Sequence, residues 1–320
     1  MSLSARTLDE LERFVELVSA ELGVVLERRI PFYFGFDELA VEHCGWAACT
    51  SKNGNVFATS WQPTSSHHEL VHGVVCETRF GAPAILAEGL AVAFEPKPNS
   101  RRGAPSEFAE IERGSKFTGY YGHAGHFVRW LHDELGPAAF MDLYTSAEYQ
   151  GGVWSAIEAA YGATAEADCL AQAPASWVPH RQCADVPFHE RSGDAWSFDL
   201  HFDCSESATR GPYERTNFHL DANYMYQSFL IDVETPGTYR LERPDWATDG
   251  VIQVRVERCL DQHPMTEQEI DDEWVAKWVW FNFQHVGKVD FAHPGVWRVD
   301  VARDFGPPAD VWLTIEPASG

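Results

Sequence analysis

The chain carries Thr64-Ser65-Ser66-His67-His68-Glu69-Leu70-Val71-His72, which contains the pattern His-Glu-x-x-His in the frame that begins at His68. Hydroxyl residues before the pattern and apolar residues after it predict a helix that runs to about Arg79. Residues four apart on a helix lie one above the other, so His68 and His72 can bind one metal ion through Zn–N bonds of about 2.0–2.1 Å. Glu69 lies about 100° around the helix, where it is a candidate general base toward water.

A second segment, Ala84-Ile85-Leu86-Ala87-Glu88-Gly89-Leu90-Ala91, follows the helix-breaking sequence Gly81-Ala82-Pro83. Glu88 comes sixteen residues after His72 and lies on an otherwise apolar helix. An unpaired carboxylate in that environment is costly to bury, whereas a metal ion would stabilise it. Glu88 is therefore the candidate third metal ligand, and an ion-paired or surface Glu is the alternative.

The two segments together resemble the gluzincin metallopeptidases, the group that includes thermolysin and the aminopeptidase N class. The metzincin pattern is excluded, because the positions where it requires Gly and His hold Val75 and Thr78. A third block, Tyr121-Gly122-His123-Ala124-Gly125-His126-Phe127-Val128-Arg129-Trp130-Leu131, is similar to the aminopeptidase segment that places a catalytic Tyr at the start of a helix. The resemblance covers roughly residues 1–180, but the amino-terminus-binding Gly-x-Met-Glu-Asn loop of aminopeptidases is missing.

The resemblance implies a zinc-dependent peptidase that acts on peptide or protein substrates. It assigns Zn²⁺ to His68, His72 and Glu88, the general base to Glu69, and hydrogen bonding to the oxyanion of the intermediate to Tyr121. Other candidates for the third block remain open: Tyr120 as the hydroxyl donor, Tyr121 as a packing residue, and His123 or His126 as an oxyanion or metal partner. Two other functions also remain open, namely an inactive secreted protein that binds metal or polymer, and a zinc hydrolase of non-peptide amides or esters.

The length of 320 residues predicts two domains, a catalytic domain over 1–184 and an accessory domain over 185–320. The formal net charge of −24 argues against nucleic acid or an anionic membrane as a partner. The sequence contains no apolar run of about 20 residues that would span a bilayer. It also shows no export signal at its N-terminus.

The overall fold class that we expect is α+β: a gluzincin-like catalytic domain of a small sheet plus helices, followed by an antiparallel β-sandwich. Helices are predicted at 7–22, 121–135, 137–147 and 151–161. A strand at 55–60, before the metal helix, is expected at a sheet edge, where it either pairs with an extended substrate or is purely structural. Residues 95–119 form either a lid or a solvated connection.

The β-sandwich prediction rests on alternating polar and apolar residues at 196–202, 251–256 and 310–315. Segments 229–241 and 289–299 resemble each other, and each is predicted as a strand, a Pro-Gly turn and a second strand. Aromatic residues in this domain belong either to its core or to a platform that contacts glycan or polymer. They are Trp274, Trp278, Trp280, Phe281 and Phe283.

The seven cysteines have no zinc-finger spacing. Their placement predicts the disulfides Cys44–Cys49, Cys169–Cys183 and Cys204–Cys259, and leaves Cys76 as a buried thiol. Disulfides of this kind indicate an oxidising compartment. A secreted or periplasmic protein whose export signal is absent from this chain is the resulting expectation.

Overall fold

The computed structural model describes residues 3–35, 42–45, 48–59, 63–76, 78, 82–96, 99–100, 120–146, 152–174, 176–177, 183–213, 223–243, 252–259, 277–280 and 286–318. Mixed α and β structure runs through these ranges, with the helices before residue 173 and antiparallel sheets after residue 195. None of the described helices combines the length and the apolar character that crossing a membrane requires.

Seven helices are named among the described residues of the N-terminal part, which we define as residues 3–177. They are α1 (Ala5–Leu22), α2 (Pro63–Val75), α3 (Ala84–Phe94), α4 (Tyr121–Leu135), α5 (Pro137–Thr145), α6 (Val153–Ala160) and α7 (Ala165–Gln172). The four helices whose residue bounds were predicted from the sequence are present as α1, α4, α5 and α6, and their ends differ from the prediction by up to two residues. Helix α7 was not predicted. Apolar faces of these helices share one buried core.

A three-stranded sheet packs against α2, with the strand order β1 (Phe32–Gly35), β3 (Val56–Thr59) and β2 (Ala48–Thr50). The prediction of an edge strand at 55–60 is wrong, because β3 lies in the centre, parallel to β1 and antiparallel to β2. The reason is that residues 48–50 form an outer strand on the side of β3 opposite β1. Two short strands, β4 (Asn99–Ser100) and β5 (Ser176–Trp177), make a separate pair.

The C-terminal part, residues 183–318, consists of a five-stranded and a four-stranded antiparallel sheet that share one apolar core. The five-stranded sheet has the order β11-β10-β13-β8-β7 and the four-stranded sheet the order β12-β9-β14-β6. Their bounds are β6 (Trp196–Phe202), β7 (Arg210–Tyr213), β8 (Tyr224–Val233), β9 (Gly237–Glu242), β10 (Ile252–Arg258), β11 (Lys277–Trp280), β12 (Val286–Phe291), β13 (Gly295–Asp304) and β14 (Ala309–Pro317). Strict alternation of buried and exposed residues along β6 shows why period-two patterning located this region.

The two similar segments of the sequence lie side by side, and each connects the two sheets. Each segment is a strand, a turn and a strand, as predicted, but its two strands belong to different sheets. The segments pair with each other twice, β8 with β13 and β9 with β12. Among the aromatic candidates for a binding platform, Trp274, Phe281 and Phe283 and the side chains of Trp278 and Trp280 lie outside the described residues, as does most of segment 95–119.

The disulfides confirm one predicted pairing and correct two. Cys44 and Cys49 are bonded, whereas Cys183 is bonded to Cys259 instead of to Cys169, which also leaves Cys204 without its predicted partner. Cys169 lies inside helix α7 with its thiol fully buried, and Cys183 packs instead against β-sheet residues around Cys259. Two disulfides fit an oxidising compartment.

Helix α1 connects the two parts of the chain through polar contacts to strand β7. The Ser4 amide donates to the Gly211 carbonyl at 2.9 Å, and the Gly211 amide donates to Thr7 Oγ1 at 3.2 Å. Arg210, which is only 3% exposed, donates from Nε to the Glu10 carboxylate at 2.5 Å. A buried guanidinium requires such a carboxylate, so this ion pair fixes how β7 lies on α1.

We expect Arg210→Met to lower the free energy of unfolding by about 1–3 kcal/mol, because it leaves the Glu10 carboxylate without its charged partner. Urea unfolding measures the change. The control is Arg240→Met, which removes the ion pairs with Glu242 and Glu316 on the exposed surface of the four-stranded sheet and should cost less than about 0.5 kcal/mol. Equal effects for the two variants would contradict a special role for the buried pair.

Candidate metal centre

Helix α2 presents two different faces. Leu70, Val71 and Val74 are buried in the core, whereas His68, Glu69 and His72 are half-buried on the other side. The helix ends at Val75, four residues before the predicted end, and the Thr78 hydroxyl and amide both donate to the Val75 carbonyl. The apolar face therefore packs the helix onto the core, and the face that carries the motif remains partly exposed.

Helix α3 carries Glu88 toward that face because it packs unusually close to α4 at the next residue. A Cβ atom on Gly89 would lie 2.6 Å from Val128 Cγ2 and 2.7 Å from the Ala124 carbonyl oxygen. Only glycine permits this approach. Apart from Glu88, α3 is entirely apolar, and most of its residues are fully buried in the core.

The structure brings the three predicted metal ligands together. Nε2 of His68 lies 3.0 Å from Oε2 of Glu88 and 3.3 Å from Nε2 of His72, and the third separation, from His72 to Glu88, is 3.6 Å. Ligands around tetrahedral zinc, at bonds of about 2.0–2.1 Å, lie about 3.3–3.4 Å from one another. The donor set of two imidazoles and one carboxylate is also one that zinc accepts, so these residues fit the ion.

A second carboxylate, which the sequence analysis missed, completes the surroundings of His68. Oε1 of Glu95 lies 2.8 Å from His68 Nδ1, and Glu95 is only 5% exposed. An acceptor at Nδ1 fixes the ring orientation and makes Nε2 the nitrogen that is available to a metal. Its spacing of seven residues from Glu88, two helical turns on one face, is the signal that could have identified it.

The electrostatics of the centre favour positive charge. Burial lowers the pKa of His68, but hydrogen bonds with the Glu88 and Glu95 carboxylates outweigh burial and raise the pKa to about 10. Burial raises the pKa of Glu88, but hydrogen bonds with the His68 and His72 imidazoles reverse the effect and hold its pKa well below the ordinary value. Carboxylates therefore stabilise a cation at the position where the imidazoles converge.

Glu69 contacts the outer strand of the three-stranded sheet. Its Oε2 accepts a hydrogen bond from Thr50 Oγ1 at 2.9 Å, and Thr50 Oγ1 also lies 2.8 Å from the Glu69 main-chain oxygen. Burial raises the pKa of Glu69 above its ordinary value, with the nearby imidazoles of His72 and His68 acting in the opposite direction. A carboxylate with a raised pKa is the better proton acceptor. The sequence analysis did not identify Thr50.

Tyr121, not Tyr120, is the tyrosine at the centre. Its ring lies 5.8 Å from the ring of His68, and the Glu88 carboxylate lies near its hydroxyl. Burial, together with the charge of Glu88, raises the pKa of Tyr121 to about 12, so that the hydroxyl keeps its proton. Tyr120 is the N-cap residue of α4 and packs against the apolar core.

The two histidines considered as alternative ligands do not belong to the cluster formed by His68, His72 and Glu88. His126 is fully buried, with Nε2 2.7 Å from the Pro174 carbonyl oxygen. His123 is also buried, and its ring lies 6.4 Å from the ring of Tyr120. Both residues follow Tyr121 on α4, and both side chains are buried.

Comparison with known proteins gives no assignment. No protein-family model matches the chain, and no curated protein is significantly similar to it. One solved structure that was matched is a 4-O-methyl-α-glucuronidase of glycoside hydrolase family 115 with specificity for decorated arabinogalactans. The sequences are 11% identical, the match covers 99% of this chain and 34% of that one, and the TM-score is 0.20. This chain spans about a third of that enzyme's length, and a similarity this low carries no inference about fold or function.

We expect Gly89→Ala to lower the free energy of unfolding by about 1–3 kcal/mol, because the new methyl group must push α3 and α4 apart. Since Glu88 moves with α3, its separation from the imidazoles should increase and metal affinity should fall. Thermal unfolding and zinc titration measure the two effects. The control is Gly306→Ala, whose Cβ would meet the flexible guanidinium of Arg303 at 3.4 Å. Unchanged stability in Gly89→Ala would contradict the packing argument.

Proposed function

We propose that this protein is a zinc-dependent peptidase with a gluzincin-like catalytic part and a C-terminal β-sandwich. The observation that carries the proposal is the cluster of His68, His72 and Glu88, whose ligand atoms are separated by 3.0–3.6 Å. Those separations are close to the edge of a zinc tetrahedron, about 3.3–3.4 Å. The neighbouring Glu69 and Tyr121 are groups that hydrolysis at such a centre requires.

Each residue of the centre has a distinct role in the proposal. His68, His72 and Glu88 would hold zinc, which would supply Lewis acidity toward a carbonyl group and toward water. Glu69 accepts a proton from the attacking water and later delivers it to the leaving amine. Tyr121, which stays protonated, donates a hydrogen bond to the oxygen on which negative charge develops.

The peptide substrate follows from the resemblance of the two metal-binding segments to the gluzincin peptidases, and the acidic composition fits a neutral or cationic substrate. The two disulfides fit a secreted or periplasmic location. Digestion of a peptide library by zinc-loaded protein tests the substrate class. Hydrolysis of ester or non-peptide amide probes alone would redirect the assignment to a different zinc hydrolase, and zinc binding without any hydrolysis would identify a binding protein.

The roles of Glu69 and Glu88 predict opposite outcomes for their substitutions. Glu69→Gln should keep one equivalent of zinc and lose turnover by about 10²–10⁴-fold, because only the proton acceptor is removed. Glu88→Ala should lose zinc, because two imidazoles alone remain. Elemental analysis and peptide hydrolysis measure both, circular dichroism checks folding, and Glu158→Gln on the exposed face of α6 is the control. Full activity in either variant would refute the assignment.

The contact of Glu95 with His68 predicts an effect on metal affinity. Glu95→Ala should weaken zinc binding by about 10–100-fold, since the imidazole loses the carboxylate that orients it. Glu95→Gln should weaken it less, because the amide oxygen still accepts a hydrogen bond but carries no charge. Competition with a chelator measures the affinity. If Glu95→Ala bound zinc as tightly as wild type, the contact would have no bearing on the metal.

A further inference from the structure

One polar side chain near the candidate centre comes from outside the helices that carry the motifs. Thr50 is the last residue of β2, the outer strand of the three-stranded sheet. Its hydroxyl lies 2.9 Å from Oε2 of Glu69 and 2.8 Å from the main-chain oxygen of the same residue. A hydroxyl that contacts both the side chain and the backbone of one residue constrains the conformation between them.

The position of Thr50 is itself constrained from three directions. Thr50 pairs with Val56 of the central strand β3, and the preceding residue, Cys49, is bonded to Cys44. The distance from the sheet to α2 is set by Gly73, where a Cβ atom would lie 3.0 Å from Val56 Cγ2 and 3.1 Å from Ile30 Cγ2. The sheet and the helix therefore meet closely enough for a side chain as short as threonine to reach Glu69.

The chemistry of the hydroxyl suits a carboxylate that exchanges a proton. When the hydroxyl donates to Oε2, that oxygen is less available to take up a proton than Oε1 is. Because the hydroxyl hydrogen can also turn toward the Glu69 main-chain oxygen, its partner can change with the charge of the carboxylate while the heavy atoms stay in place. A group held in this way needs little reorganisation between the two protonation states.

We propose that Thr50 is the positioning residue for Glu69, holding Oε2 so that Oε1 performs the proton transfer. This inference rests on the proposed function, because it assigns Glu69 the role of general base. A side chain that orients a catalytic group affects turnover more than substrate binding, since misplacement of that group by about 1 Å costs up to about 10²-fold in rate.

The test compares Thr50→Val, which has the shape of threonine without its hydroxyl, with Thr50→Ser, which keeps the hydroxyl. We expect Thr50→Val to lower kcat by about 10–100-fold with KM unchanged, and to keep one equivalent of zinc. Thr50→Ser should retain most of the wild-type kcat. The control is Thr145→Val on α5, which also loses a hydroxyl bonded to a carbonyl, that of Met141 at 2.7 Å, and should keep full kcat.

A double variant separates positioning from a general structural effect. In the Glu69→Gln background, Thr50→Val should cause no further loss of kcat, because its effect passes through the Glu69 carboxylate. A wild-type kcat in Thr50→Val, a full additional loss in the double variant, or loss of zinc in Thr50→Val would each overturn the inference while the proposed function stands. Wild-type protein that neither binds zinc nor hydrolyses peptides would overturn both.

Discussion

The N-terminal part depends on one electrostatic requirement: two carboxylates, Glu88 and Glu95, are held beside the imidazole of His68 next to an apolar core. Carboxylates are costly in such surroundings unless positive charge lies beside them. The imidazoles of α2 meet that requirement, and they can do so only because α3 approaches α4 at Gly89 and presents Glu88 to them. The charge pairing of Glu88 with the imidazoles therefore depends on the close packing of α3 against α4.

Around this centre, each structural layer contributes one polar group at a defined distance. The sheet contributes Thr50, which contacts Glu69, and α4 contributes Tyr121 at its first turn. Close contacts at Gly73 and Gly89 set the spacing between those layers and the helices that carry the ligands. Such a centre is built on helices and a strand, which hold side chains more reproducibly than loops do.

The C-terminal sheets are attached to the same framework through α1. That helix contacts β7 through Thr7 and Glu10, and its Phe14 packs edge-on against the ring of His67, with ring centroids 4.7 Å apart. Because His67 directly precedes His68 on α2, α1 lies between the sandwich and α2. The sandwich therefore contacts the helix that packs against α2.

Local spacing determined what the sequence alone could provide. Residues four apart on a helix share a face whatever the fold around them, so His68, Glu69 and His72 were identifiable, and period-two alternation located the strands of the sandwich. Glu88 could be identified from the sequence because a lone carboxylate on an apolar helix needs a partner of opposite charge. Thr50, the role of Glu95, the central place of β3 and the Cys183–Cys259 bond were decided only by tertiary structure. They depend on which distant segments come within a few ångströms of each other, and sequence spacing carries no record of those distances.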